Sequence, residues 1–89
     1  MIIFKRIINL IENYKKKEFY KFKKYNCVER ANLRLISIYS NIPISQFEII
    51  ISLMRGLEIL SEYQSSATYK GYIFNEEKYK LFKVEQNEY

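Results

Sequence analysis

Three groups of cations carry most of the chemistry open to this sequence. Lys15-Lys16-Lys17 and Lys23-Lys24 form two short basic runs. Arg30 and Arg34 stand four residues apart, which on a helix is one turn, so both guanidinium groups would leave the same face. Side chains placed this way can neutralise phosphates, the main source of affinity for nucleic acid. Residues 1–34 hold ten Lys or Arg and three Glu, a net of +7; residues 35–89 hold five and seven, a net of −2, within an overall +5. An anionic partner is therefore expected at the N-terminal third. Phe19, Tyr20, Phe22 and Tyr25 interleave with these lysines. Such aromatics can stack on bases, as in single-strand binders, or pack into a core or an interface. The competing reading of the lysine runs is a solvated helix face.

Other chemistry has little to work with. The chain has no His, no Asp, two Gly and one Cys. It therefore lacks a zinc ligand set, a His-activated nucleophile and a glycine-rich phosphate loop, and neither an enzyme activity nor a cofactor is expected. Cys27 has no internal disulfide partner, which fits a reducing compartment; it reads as a small apolar residue. Lys5 and Arg6 interrupt the apolar N-terminus, and no stretch approaches the ~20 apolar residues that span a bilayer. A cytoplasmic protein without a membrane segment is expected.

Eighty-nine residues make one domain, and the 48% apolar content is enough for one core. Residues 2–24 carry Phe4, Ile7, Ile8, Ile11 and Phe22 on one helical arc. Lys15 and Glu18 fall inside that arc, so a bend or break is predicted between them. Asn26 with Glu29 has the spacing of a capping box, opening a helix with Ala31, Leu35 and Ile38 on one face that runs to about Ser40. Pro43 disfavours helical geometry at Ile42, making Asn41-Ile42-Pro43-Ile44 a tight connection. Ser45 with Glu48 repeats the capping-box spacing, and Ile44 with Ile49 has that of a hydrophobic staple. Phe47, Ile50, Met54 and Leu57 give this helix a core stripe, with Gly56 as its left-handed stop. Ile51 or Leu53 is then surplus apolar surface, which points to an interface. Leu57–Tyr63 reads as a strand, Gln64-Ser65-Ser66 as a turn and Thr68–Phe74 as a returning strand. Asn75 can cap a last helix packed through Tyr79 and Phe82, with a frayed tail after about Val84.

In this order the segments resemble a winged helix-turn-helix domain of the MarR and PadR kind, over Leu35 to Lys83. Leu35-Ile36-Ser37-Ile38-Tyr39 looks like the first helix of the motif and Asn41-Ile42-Pro43-Ile44 like its turn. Ser45-Gln46-Phe47-Glu48 then opens the recognition helix. Met54-Arg55-Gly56-Leu57 is similar to the family's Leu-x-x-x-Gly-Leu ending, and Tyr72-Ile73-Phe74-Asn75-Glu76-Glu77 to the step from wing to helix. The resemblance implies an α+β, mainly α fold with three helices, a two-stranded wing hairpin and a C-terminal helix. Its regions would be 1–25 (basic helix), 26–56 (helix-turn-helix), 57–74 (wing) and 75–89 (last helix and tail). It also implies a DNA-binding transcriptional regulator that dimerises through its terminal helices. Contacts would come from Lys16, Lys17, Lys23, Lys24, Arg30 and Arg34, from Ser45, Gln46, Ser52 and Arg55 on the recognition helix, and from Lys70 by the wing. Winged helices also bind proteins. The alternative partner is a host protein or nucleoprotein, bound by a phage- or plasmid-encoded, anti-CRISPR-like inhibitor.

Overall fold

The computed structural model describes residues 2–16, 27–63 and 71–87. Helix α1 (Ile2–Lys15) buries Ile7 and Ile11 from the expected arc, but its other buried residues are Leu10 and Tyr14, while Phe4 and Ile8 are only partly buried, so the buried face is rotated from the expected one. It ends at Lys15, where the predicted break begins; Phe22 and the second basic run lie outside the described residues. Lys15 occupies the apolar arc without burying its charge. Its Nζ reaches Glu76 at 2.5 Å and lies 5.0 Å from the centre of the Tyr79 ring and 5.7 Å from that of Phe74. The aliphatic stem crosses apolar ground and the ammonium finds a carboxylate at the rim.

The segment before the second helix departs from the capping-box expectation. Cys27–Glu29 is a short strand, β1, and helix α2 (Arg30–Tyr39) starts after it, with Glu29 at the N-cap and no side-chain cap bond. Val28 is buried and pairs with Tyr72 across the sheet. A β-branched residue with a sheet partner outweighs a local side-chain cap. The buried face of α2 is also not the expected one. Leu33, Ile36 and Ser37 point inward, while Leu35 and Ile38 are exposed. Apolar residues occupy both stripes of this helix, so periodicity alone could not choose between them.

Helices α2 and α3 (Ile44–Gly56) end in the same way. Asn41 adopts φ 59°; its N–H donates to Ile38 O, and the Ile42 N–H to Ser37 O. Glu58 adopts φ 63°; its N–H donates to Arg55 O, and the Ile59 N–H to Met54 O. Both are Schellman endings, and in each the following isoleucine is buried. Gly56, expected as the left-handed residue, is the last residue of α3, with no positive φ; the left-handed position falls two residues later, on Glu58. An L-residue there is strained by about 1–2 kcal/mol, partly offset in a glycine variant by a freer unfolded chain. Glu58→Gly is therefore expected to raise stability by up to about 1 kcal/mol in chemical denaturation, since the exposed Lys78–Glu58 pair contributes little. A clear loss of stability would mean that Glu58 does more than turn the chain.

The start of α3 also differs from expectation. The helix begins at Ile44 with Pro43 at the N-cap, and no side chain caps it. The Ser45–Glu48 box is not formed, and the Glu48 carboxylate pairs with Arg30 instead. Nor is the staple closed: Ile44 is 70% exposed and Ile49 51%. The core stripe is Phe47, Ile50, Ile51 and Met54; Ile51 is buried and Leu53 packs partly buried against the core, so neither is the expected surplus surface, while Leu57, expected inside, is exposed.

Leu57 to Ile59 belong to the helix-ending turn, so strand β2 starts at Leu60 and runs to Tyr63. Strand β3 is Gly71–Phe74; the predicted turn at 64–66 and residues 67–70 lie outside the described residues. β3 lies between β1 and β2 and is antiparallel to both. The sheet thus has three strands where a two-stranded hairpin was expected. Asn75 Oδ1 accepts the Lys78 N–H at 3.1 Å, the expected cap of helix α4 (Glu76–Asn87). Tyr79 and Phe82 are buried as predicted, and the helix continues past Val84 to Asn87. The described residues form a mainly helical α+β fold of four helices and a three-stranded antiparallel sheet around one core. Among the described residues, no helix is long and apolar enough to cross a membrane.

Charge pairs fasten α4 onto α1. Glu12 pairs with Lys83, Lys15 with Glu76, and Phe4 meets Phe82 edge to face with ring centres 5.5 Å apart. The hydrogen bond and charge of Lys83 hold the Glu12 carboxyl below its ordinary 4.5, against the opposing effect of burial. A depressed folded-state pKa gives stability that is present above the unfolded value and lost as pH falls through the folded one. The stability gap between wild type and Glu12→Gln should therefore be constant near neutrality and close progressively below about pH 4.5. Denaturation midpoints measured across that range check it; a gap independent of pH would show that the pair is not coupled to folding.

Candidate binding face on the second and third helices

The outward surface of α2, the connecting turn and α3 holds most of the described residues expected to contact nucleic acid. Arg30 enters at the start of α2, directly after β1. It donates to the Tyr72 hydroxyl at 2.8 Å, pairs with Glu48 and lies 5.2 Å from the centre of the Phe47 ring. Partial burial lowers its pKa, but the Tyr72 hydroxyl and the Glu48 charge more than offset this, so the net shift is upward. Arg30 thus ties α2 to α3 and β3. It is committed inside the molecule, not held out toward a phosphate.

Arg34, one turn later, is exposed. Of the three cations on α2 and α3, it alone has no ion pair or ring contact among the described residues. Arg55 pairs with Glu62 on β2 at 3.1 Å. Ser45 and Ser52 are exposed. Gln46 is half-buried, its side-chain oxygen accepting from Arg6 on α1. Lys16 is exposed just past the end of α1. Lys17, Lys23, Lys24 and Lys70 lie outside the described residues. The structure therefore brings Arg30, Arg34, Ser45, Ser52 and Arg55 onto the α2–α3 unit, and among the described residues two of its three cations are ion-paired.

Between the end of α3 and β2, an open groove of about 750 Å³ is lined by Ser52, Arg55, Gly56, Leu60, Ser61 and Glu62. Glu58 lines it as well, so two carboxylates face one guanidinium, Arg55, which pairs with Glu62.

Apolar side chains dominate the rest of this face. Leu35 is 41% exposed, Ile38 53% and Tyr39 68%, joining Ile44 and Ile49. Sequence reasoning missed them for two reasons. Helical spacing assigns Leu35 and Ile38 to the core of α2, and Ile44 and Ile49 have the spacing of a staple. The available signal was the second apolar stripe on α2, Leu33 and Ile36, which could fill the core unaided.

Comparison of the chain with protein-family models, characterised proteins and solved structures finds no match.

Proposed function

We propose that this chain is a winged-helix binding module that recognises another protein through its α2–α3 face. Support for the architecture comes from the element order. A helix and a strand precede the α2–turn–α3 unit, two strands follow it, and the sheet runs β1-β3-β2. On the proposed reading, this order corresponds to a winged helix-turn-helix with a third strand, and α3 would take the position of the recognition helix.

One observation carries the choice of partner. The helix that would enter a DNA groove has its arginine engaged with Glu62 and its acid engaged with Arg30, while large apolar residues are exposed beside them. A duplex-binding surface typically makes six to ten phosphate contacts when its affinity is strongly salt-dependent. An exposed apolar patch on a small domain marks a protein contact. The small size and basic N-terminal third fit an inhibitor of a host nucleoprotein carried by a phage or plasmid. Homodimerisation through α4 belongs to the same proposal, since Leu81 and Val84 stand exposed one turn apart.

The second reading is a DNA-binding transcriptional regulator. It is favoured by the net +7 of residues 1–34 and by exposed Arg34, Ser45 and Ser52. The two readings part in a pull-down from host lysate with the immobilised full chain, alongside the double variant Ile38→Asp/Ile44→Asp. The proposal expects a protein held by wild type and lost from the variant. Nothing held by wild type, together with tight binding of duplex DNA, would overturn it in favour of the regulator.

A further inference from the structure

From the composition of this face we infer that its occupant is a single amphipathic helix of the partner protein, apolar along one side and carrying a carboxylate that meets Arg34. The inference rests on the protein-binding reading and adds the chemistry of the partner.

Three observations lead to it. The first is area. Leu35, Ile38, Tyr39 and Ile44 are each between 41% and 70% exposed. Four such side chains offer a few hundred Å², whereas a stable complex of two folded surfaces buries about 800 Å² on each partner. The patch suits one segment better than the face of a second folded copy.

The second is backbone chemistry. Leu35, Ile38 and Tyr39 lie on α2 and Ile44 opens α3, so the backbone beneath the patch is helical and internally hydrogen-bonded. The Ser40–Ile42 turn is closed by its own N–H to carbonyl bonds. An extended peptide would find no strand edge to pair with here. A helix brings its own backbone bonds satisfied and presents only side chains.

The third is charge. Arg34 lies one turn before Ile38 and beside Leu35 on the same exposed arc of α2. Among the described residues its guanidinium has no ion pair, unlike those of Arg30 and Arg55. A carboxylate gives it a forked, charge-assisted partner, and a lysine there would repel it.

The test is selection of a displayed library of short helix-forming peptides on the full-length chain. It is run in parallel on wild type, Ile38→Asp/Ile44→Asp and Arg34→Glu. Wild type should enrich peptides with apolar residues at helical spacing and Asp or Glu beside them. The double variant should bind those peptides at least ~10-fold more weakly. Arg34→Glu should replace the acidic preference with a basic one. The altered side chains are exposed, so circular dichroism should show the fold retained. Should a variant not fold, amide shifts of the wild-type chain on adding the enriched peptide report the same contact, and they should cluster at 34–39 and 44–45. Shifts centred on α4, or enrichment with no charge preference that Arg34→Glu reverses, would overturn the inference and leave a protein-binding face intact. A sedimentation dimer dissolved by Ile38→Asp/Ile44→Asp would assign the face to a second copy and also overturn it. Absence of any patch-dependent peptide, with tight duplex binding, would remove the protein-binding reading as well.

Discussion

Tyr79→Ala is expected to leave the chain largely unfolded. Tyr79 is the largest fully buried side chain, packed against Phe74 with ring centres 5.7 Å apart and bridging α4 to the core. Truncating a buried aromatic costs about 3–5 kcal/mol through lost transfer energy and the cavity left behind. A domain of this size holds roughly 4–13 kcal/mol in total, so most of its margin would go. The ammonium groups of Lys15 and Lys83, 5.0 and 6.0 Å from the ring centre, would lose their aromatic partner as well.

Tyr79→Phe should behave in the opposite way. The hydroxyl is buried and has no hydrogen-bond partner of ordinary geometry among the described residues. Burial, and then the nearby Glu12 and Glu76 carboxylates, push its pKa well above the usual 10. The Glu12 carboxylate is the acceptor nearest to it but lies outside ordinary hydrogen-bond geometry, so the hydroxyl bears its desolvation cost with little return and removing it should be close to neutral. Denaturant midpoints of the two variants decide the point. A Tyr79→Phe loss above about 1 kcal/mol would show that the hydroxyl is satisfied in solution.

The second large effect concerns Arg30. Removing it would leave the Tyr72 hydroxyl without its donor, free Glu48, and uncover the Phe47 ring. The charged hydrogen bond contributes about 1.5–3 kcal/mol. Contact with the ring adds about 0.5–1 kcal/mol at a partly exposed site, while the Glu48 arm, largely in solvent, adds little. Arg30→Ala should therefore cost about 2–3 kcal/mol, discounted toward the lower figure because a third of the side chain is exposed. Arg30→Lys should recover only part of that, because a single ammonium lacks the forked geometry that reaches two partners. Melting temperatures of the three proteins test this. An Arg30→Ala protein with wild-type stability but weakened nucleic-acid binding would instead make Arg30 a phosphate contact.

How far the fold was legible varies with the kind of signal. Three local signals held: a proline, a capping asparagine and a charge inside an apolar arc. Pro43 marked the end of α2, Asn75 capped α4, and Lys15 marked the end of α1. Pair signals that depend on the helix starting at a given residue failed. The Ser45–Glu48 box and the Ile44–Ile49 staple share a register that α3 does not adopt, and Glu48 is drawn to Arg30, eighteen residues away in sequence. Strand β1 was missed because its three residues are defined by pairing with β3, a partner more than forty residues on. Gly56 misled for a related reason. Glycine is the cheapest left-handed residue, yet the core set the length of α3 and placed Glu58 in that position.

The candidate face was half legible. Residue types at Arg34, Ser45, Ser52 and Arg55 correctly marked an exposed surface on the α2–α3 unit. Its chemistry was not visible, because the ion pairs that occupy Arg30 and Arg55 join residues from separate elements. Nor could the sequence say which stripe of α2 faces outward.

The most direct test of a face that binds protein rather than DNA is titration of the full chain with a labelled random-sequence duplex, read by fluorescence anisotropy from about 50 to 200 mM salt. The expected result is weak binding with a shallow salt dependence that Ile38→Asp/Ile44→Asp leaves unchanged. Tight binding that falls by about 10³-fold or more over that range, and is lost in Arg34→Ala, would contradict it.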